Sequence, residues 1–118
     1  MAVIPAIEVV TNIRGVKLHK WSNITTADTA GPLSLPAFAD KTFQITGTYG
    51  TATVSLQGSM DNATYGVTHS FDATDITGYI GNEPVAPIEN CLFMKPVIAT
   101  PDGTTSLTVW CLSTTPRG

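Results

Sequence analysis

The segment LPAFADKTFQITGTYGTATVSLQGSMDNATYGV, residues 35–67, carries two runs that alternate between apolar and polar residues. In Lys41–Thr46, Phe43 and Ile45 fall on one face, with Thr42, Gln44 and Thr46 on the other. In Thr51–Gln57, Ala52, Val54 and Leu56 share a face opposite Thr53, Ser55 and Gln57. Period two is the signature of strands buried on one side. Gly47 and Gly50 of the intervening GTYG can take the positive φ of a tight link, so the pair reads as a β-hairpin. GSMDNATYG, residues 58–66, is dense in turn formers and leads towards a third strand.

Outward from this pair the pattern repeats. Val16–Trp21 alternates, with Val16, Leu18 and Lys20 opposite Lys17, His19 and Trp21; Trp21 ends the strand at a core edge or a subunit contact. Ser22–Gly31 is polar and unpatterned and reads as a loop, and the prolines at 32 and 36 allow only a short extended piece at Leu33–Leu35. Val67–Phe71 alternates again, Asp72–Gly81 has room for one short strand, and Glu83–Asn90 reads as a connector with one helical turn near its end. Leu92–Thr100 is apolar, but Pro96 cannot donate to a ladder, which predicts an edge strand or a bulge. PDGT, residues 101–104, is a turn. Thr105–Ser113 closes the chain as a strand with Leu107, Val109 and Cys111 inward and with Trp110 and Leu112 on a second covered face. Residues 114–118 form a tail.

Six to eight short strands without substantial helix predict an all-β fold: a single antiparallel β-sandwich or jelly-roll-like barrel. Residues 1–12 read as an N-terminal arm or edge strand, open to exchange with a neighbour, and residues 13–118 as one β domain. The chain of 118 residues is long enough to bury a core without metal or disulfide help.

Charged residues are only 13% of the chain, about half the usual share. Such a surface is either a plain Thr-rich sheet or one covered by neighbouring subunits. Net charge is −3, and the six Lys and Arg are scattered, so no cationic cluster suits nucleic acid. No apolar run is long enough for a membrane span, and MAVIPAIEVV lacks the basic start of a secretory signal; both point to synthesis in a cytoplasm. There Cys91 and Cys111 are expected as reduced thiols, although adjacent strands would permit pairing.

Chemistry-bearing patterns are sparse. His19 and His69 are 50 positions apart without metal-ligand spacing, and the aspartates sit in turn contexts rather than calcium loops. No nucleophile elbow, phosphate loop or glycosidase-type acid pair is present, so no enzyme, cofactor or metal is expected. Asn23-Ile-Thr25 and Asn62-Ala-Thr64 match the glycosylation sequon by chance in a cytoplasmic product. Trp21, Tyr49, Tyr65, Tyr79 and Trp110 suit either a sugar-stacking face or core and interface anchors, and the second role is favoured.

Two long segments resemble one family. WSNITTADTAGPLSLPAFADKTFQITGTYGTATVSLQGSMDN, residues 21–62, and IENCLFMKPVIATPDGTTSLTVWCLS, residues 88–113, are similar to small virion structural proteins of tailed bacteriophages, many of them capsid decoration (cement) proteins. Where that family tends to place Asn-Trp after the QGSND turn, this chain has Ala63-Thr64-Tyr65. The resemblance implies a non-enzymatic protein made in a host bacterial cytoplasm and carried on the virion. Its implied partners are the major capsid protein and copies of itself, as a dimer or trimer. Partner contacts are expected at Val3, Ile4 and Ile7 of the arm and at Trp21, Tyr65 and Trp110. A glycan- or receptor-binding module displayed on the virion, and a tail or neck subunit, are the alternatives.

Overall fold

The computed structural model describes residues 2–35, 37–38, 40–69, 84–87 and 91–114. These contain nine strands and no helix: β1 (Ala2–Ile4), β2 (Ile7–Val9), β3 (Val16–Thr25), β4 (Asp28–Ala30), β5 (Asp40–Thr48), β6 (Thr53–Ser59), β7 (Gly66–Val67), β8 (Phe93–Ala99) and β9 (Ser106–Thr114). They form three sheets: four strands in the order β2-β3-β9-β5, three in the order β7-β6-β8, and the pair β1-β4. The pair is parallel, unlike the antiparallel pairing expected throughout. The strands expected at 67–71 and in 72–81, and the helical turn near residue 88, lie wholly or partly outside the described residues.

β5 and β6 have the inward faces that alternation gave them, yet they are not a hairpin. β5 pairs along its length with β9, whereas β6 pairs with β8 and β7. The link at 49–52 therefore crosses from one sheet to the other. Gly47 and Gly50 do hold positive φ, at 118° and 61°. A Cβ on Gly47 would fall 2.3 Å from the Ser106 carbonyl oxygen, because β9 passes directly beside it. The β8–β9 link is a second crossing alongside the first. Asp102 accepts hydrogen bonds from Thr51 N and Thr104 N, Thr105 Oγ1 donates to the Tyr49 carbonyl, and Thr51 Oγ1 donates to the Thr100 carbonyl.

β3 runs four residues beyond its expected end, into the segment read as a loop. Trp21 pairs with Val109 and Ile24 with Leu107, so three steps on β3 match two on β9, a β-bulge. Asn23 takes φ 55° within it. The extra residue turns both Trp21 and Ile24 inward, which strict alternation forbids. β8 lies at the edge of its sheet, one of the two settings expected for Pro96, with Leu33 bridging to Met94 on the far side.

Trp21, Ile24, Phe43, Ile45, Leu107, Val109 and Cys111 of the four-stranded sheet meet Val54, Leu56 and Met94 of the three-stranded sheet in one core. Trp21 is fully buried, stacks on Phe43 at 6.2 Å between centroids, and donates its indole N–H to the Gly31 carbonyl at 2.8 Å. That bond satisfies the one polar atom the ring brings inside. Replacing Trp21 by Ala should lower unfolding free energy by about 3–5 kcal/mol, through lost burial and the cavity left behind. Gly47→Ala should also destabilise, by more than about 1 kcal/mol, since both its φ and its contact with Ser106 oppose a side chain. Denaturant titration of each variant measures both effects.

Candidate protein-interaction surfaces

Ladder registers fix which side chains share the outer face of the four-stranded sheet. Ile7 pairs with Lys20, Lys20 with Trp110, and Trp110 with Gln44, forming one row; Val9, Leu18, Leu112 and Thr42 form the next. A third row holds Val16, Thr114 and Asp40. Leu18 and Trp110 are half-buried, and Leu112 is 40% exposed. Pro84 joins them through the bridge between Val85 and Phe43, and the group surrounds a shallow hollow of about 400 Å³. Lys20 places its ammonium 5.1 Å from the Trp110 ring centre, a cation–π contact that anchors an otherwise mobile chain.

Further exposed apolar side chains lie along residues 3–13. Val3, Ile7, Val10 and Ile13 are each more than half exposed. The backbone that carries them is tied down: β1 runs beside β4, β2 beside β3, and Gly31 N donates to the Ile4 carbonyl. Between β2 and β3 the turn at 10–15 uses positive φ at Asn12 and Gly15. The N-terminal stretch is thus docked on its own domain rather than a free arm.

The expected contact residues separate accordingly. Ile7 and Trp110 lie in one row of one face, and Val3 is exposed on β1. Ile4 is half-buried against the core. Trp21 is entirely inside, so the core role replaces the subunit contact. Tyr65 is elsewhere: its hydroxyl donates to Asn62 Oδ1, and Lys95 stands 4.2 Å over its ring. Of the rings considered for sugar stacking, Tyr49 packs against the core and Tyr79 lies outside the described residues. Sequence reading missed Ile13 and Leu18, although the apolar character of Ile13 in a turn was a usable signal; Val10 falls within the N-terminal arm already expected to contact a neighbour.

Polar groups cluster on the inner face at the opposite end of β9 from its entry turn. His19 sits beside Cys111 in the ladder, and Lys41 beside Ser113. Burial pushes the Cys111 thiol up to about 11, and burial lowers the Lys41 ammonium, which donates to the Phe38 carbonyl at 2.8 Å. Neither Cys91 nor Cys111 is in a disulfide. No three His, Cys, Asp or Glu side chains among the described residues are placed to hold a metal ion. Asp61 is held at about 2 by the amides of Thr64 and Ala63 and the Ser59 hydroxyl, so this carboxylate organises its own loop.

His19 is 8% exposed and its Nδ1 has no hydrogen-bond partner; desolvation lowers its pKa, against the opposing pull of Glu8. With the folded value below 6.5, the unfolded chain binds the proton more tightly. The stability tied to neutral His19 is therefore complete above pH 6.5 and declines as pH falls towards the folded pKa. Melting temperature should drop between about pH 7 and pH 5, and His19→Gln should flatten that drop. The Asp61 carboxylate acts in a separate window, below its ordinary value of 3.8. Comparison with family models, with curated proteins and with solved structures found no match.

Proposed function

We propose that this chain is a non-enzymatic capsid decoration protein of a tailed bacteriophage, which binds the outside of the head shell and bridges capsomers. The observation that carries the reading is the exposure of large apolar side chains, Val3, Val10 and Ile13, on strand and turn backbone that is already ordered. Such residues are unfavourable in water and bind a protein surface with little further loss of chain entropy. The resemblance of residues 21–62 and 88–113 to virion structural proteins supplies the class of partner, the major capsid protein. In this reading the four- and three-stranded sheets are the two layers of a sandwich that serves as a rigid spacer. Few charges along its flanks permit close approach to neighbouring copies.

The mechanism asks little of any one contact. Copies placed at symmetry-related points add buried area between capsomers, and repetition over a closed lattice multiplies modest affinities. The shell then resists the outward pressure of packaged DNA. Tyr65 is a poor platform for a sugar, because Lys95 already covers one face of its ring.

The test is to mix purified protein with undecorated heads of the phage that encodes it. Wild-type protein should co-sediment with heads and raise their rupture temperature. The double variant Val10→Asp/Ile13→Asp should bind at least about tenfold more weakly, since two buried aliphatic side chains are worth about 3 kcal/mol or more. Its melting temperature should stay near the wild-type value, as both residues are exposed. Wild-type protein that leaves heads unbound, or that binds tails alone, would refute the decoration role.

A further inference from the structure

We propose that the outer face of the four-stranded sheet is a two-fold interface joining this chain to a second copy of itself. The inference uses residues other than those assigned to the shell and does not depend on that assignment. The face is apolar at its centre: Val9, Leu18, Trp110 and Leu112 lie on adjoining strands, with Ile7 at one margin and Pro84 at the other. Leu112 stands exposed in the middle of it, on the central strand β9.

The charges on this face identify the occupant. Among the described residues with outward register on β2, β3, β5 and β9, one is a cation, Lys20, and one is an anion, Asp40. They cancel within the face. Lys20 is opposite Trp110 on β9, and Asp40 is opposite Thr114, so the midpoint between them falls at residue 112. The two charges are separated by about 10 Å across the strands and about 14 Å along them.

Consider a two-fold axis lying in the plane of the face, through Leu112 and perpendicular to the line from Lys20 to Asp40. It sets Lys20 of each copy against Asp40 of the other, twice, and sets Leu112 against Leu112. Among the described residues no like charges meet. An isologous contact requires this kind of self-complementarity, in which residue i meets j and j meets i. A foreign partner would need no such placement of its one cation and one anion about a central leucine. The cation–π contact with Trp110 holds Lys20 on the face before association, so less side-chain entropy is lost. A face about 20 Å on each side lies at the small end of protein interfaces, which makes the dimer reversible and its constant measurable.

Sedimentation equilibrium of the purified chain tests this. Wild-type protein should dimerise with Kd tighter than about 1 mM. Lys20→Glu and Asp40→Lys should each weaken the dimer at least about tenfold, because two attractive pairs become two repulsive ones. The combined Lys20→Glu/Asp40→Lys variant should recover most of the lost affinity, an outcome that misfolding of a single variant cannot imitate. Under mild oxidation Leu112→Cys should form a disulfide dimer that wild-type protein does not, since only a residue on the axis faces its own copy. Val10→Asp/Ile13→Asp should dimerise like wild type, so failure of shell binding and failure of this interface are separable. A wild-type monomer up to about 1 mM, or a dimer indifferent to all of these changes, would overturn the proposal.

Discussion

Two chain crossings, side by side, make one core out of two sheets. β5 and β9 pair in one sheet and β6 and β8 in the other, yet β5 runs straight into β6 and β8 into β9. Both links must leave one sheet and enter the other at the same end of these sheets. Asp102 and the hydroxyls of Thr51, Thr100 and Thr105 bind the two links to each other. A Cβ at Gly50 would lie 2.2 Å from the Asp102 carboxylate, so a larger residue there would displace the side chain that ties the links together. The inward faces of four strands can then confront each other, and burial of Phe43, Ile45, Val54, Leu56, Met94, Leu107 and Val109 follows from that one arrangement.

From the crossings follows the division between the faces of the four-stranded sheet. Its inner face is apolar around Trp21 and Phe43 and becomes polar, though still buried, around His19, Lys41 and Ser113. Its outer face is also apolar in part, which is unusual for an antiparallel sheet with one side free. Trp110 and Leu112 on the central strand cannot be explained by the internal core, since Leu107, Val109 and Cys111 already supply it from the same strand. Side chains of this kind on both faces of β9 are what joins the fold to the proposed association with other protein surfaces.

The N-terminal residues show how tertiary pairing changes a functional reading. Considered as a string, MAVIPAIEVV is an apolar arm looking for a partner. Folded, it is divided by Pro5 into two short strands that close the edges of β3 and β4, leaving Val3 and Ile7 outward and Ile4 partly inward. Order in the backbone is what holds these exposed aliphatic residues in fixed positions, as the proposed contacts require.

Legible in the residues alone are the all-β class, the inward residues of β5, β6 and β9, the restriction of the Pro96 strand to an edge or a bulge, and the positive φ of Gly47 and Gly50. Each is a local consequence of side-chain alternation or of the conformational limits of Pro and Gly. Tertiary structure alone decided strand partners. A strand with one apolar face satisfies its pattern equally in a hairpin or across a core from its neighbour, so the β5–β6 link was open to both. It also decided the end of β3, because a bulge breaks the period that alternation reads and so hid Ile24 in an apparent loop. Above all it decided which distant residues share a face. Lys20, Asp40, Trp110 and Leu112 carry no common local signal; long-range ladder register alone places them in one surface.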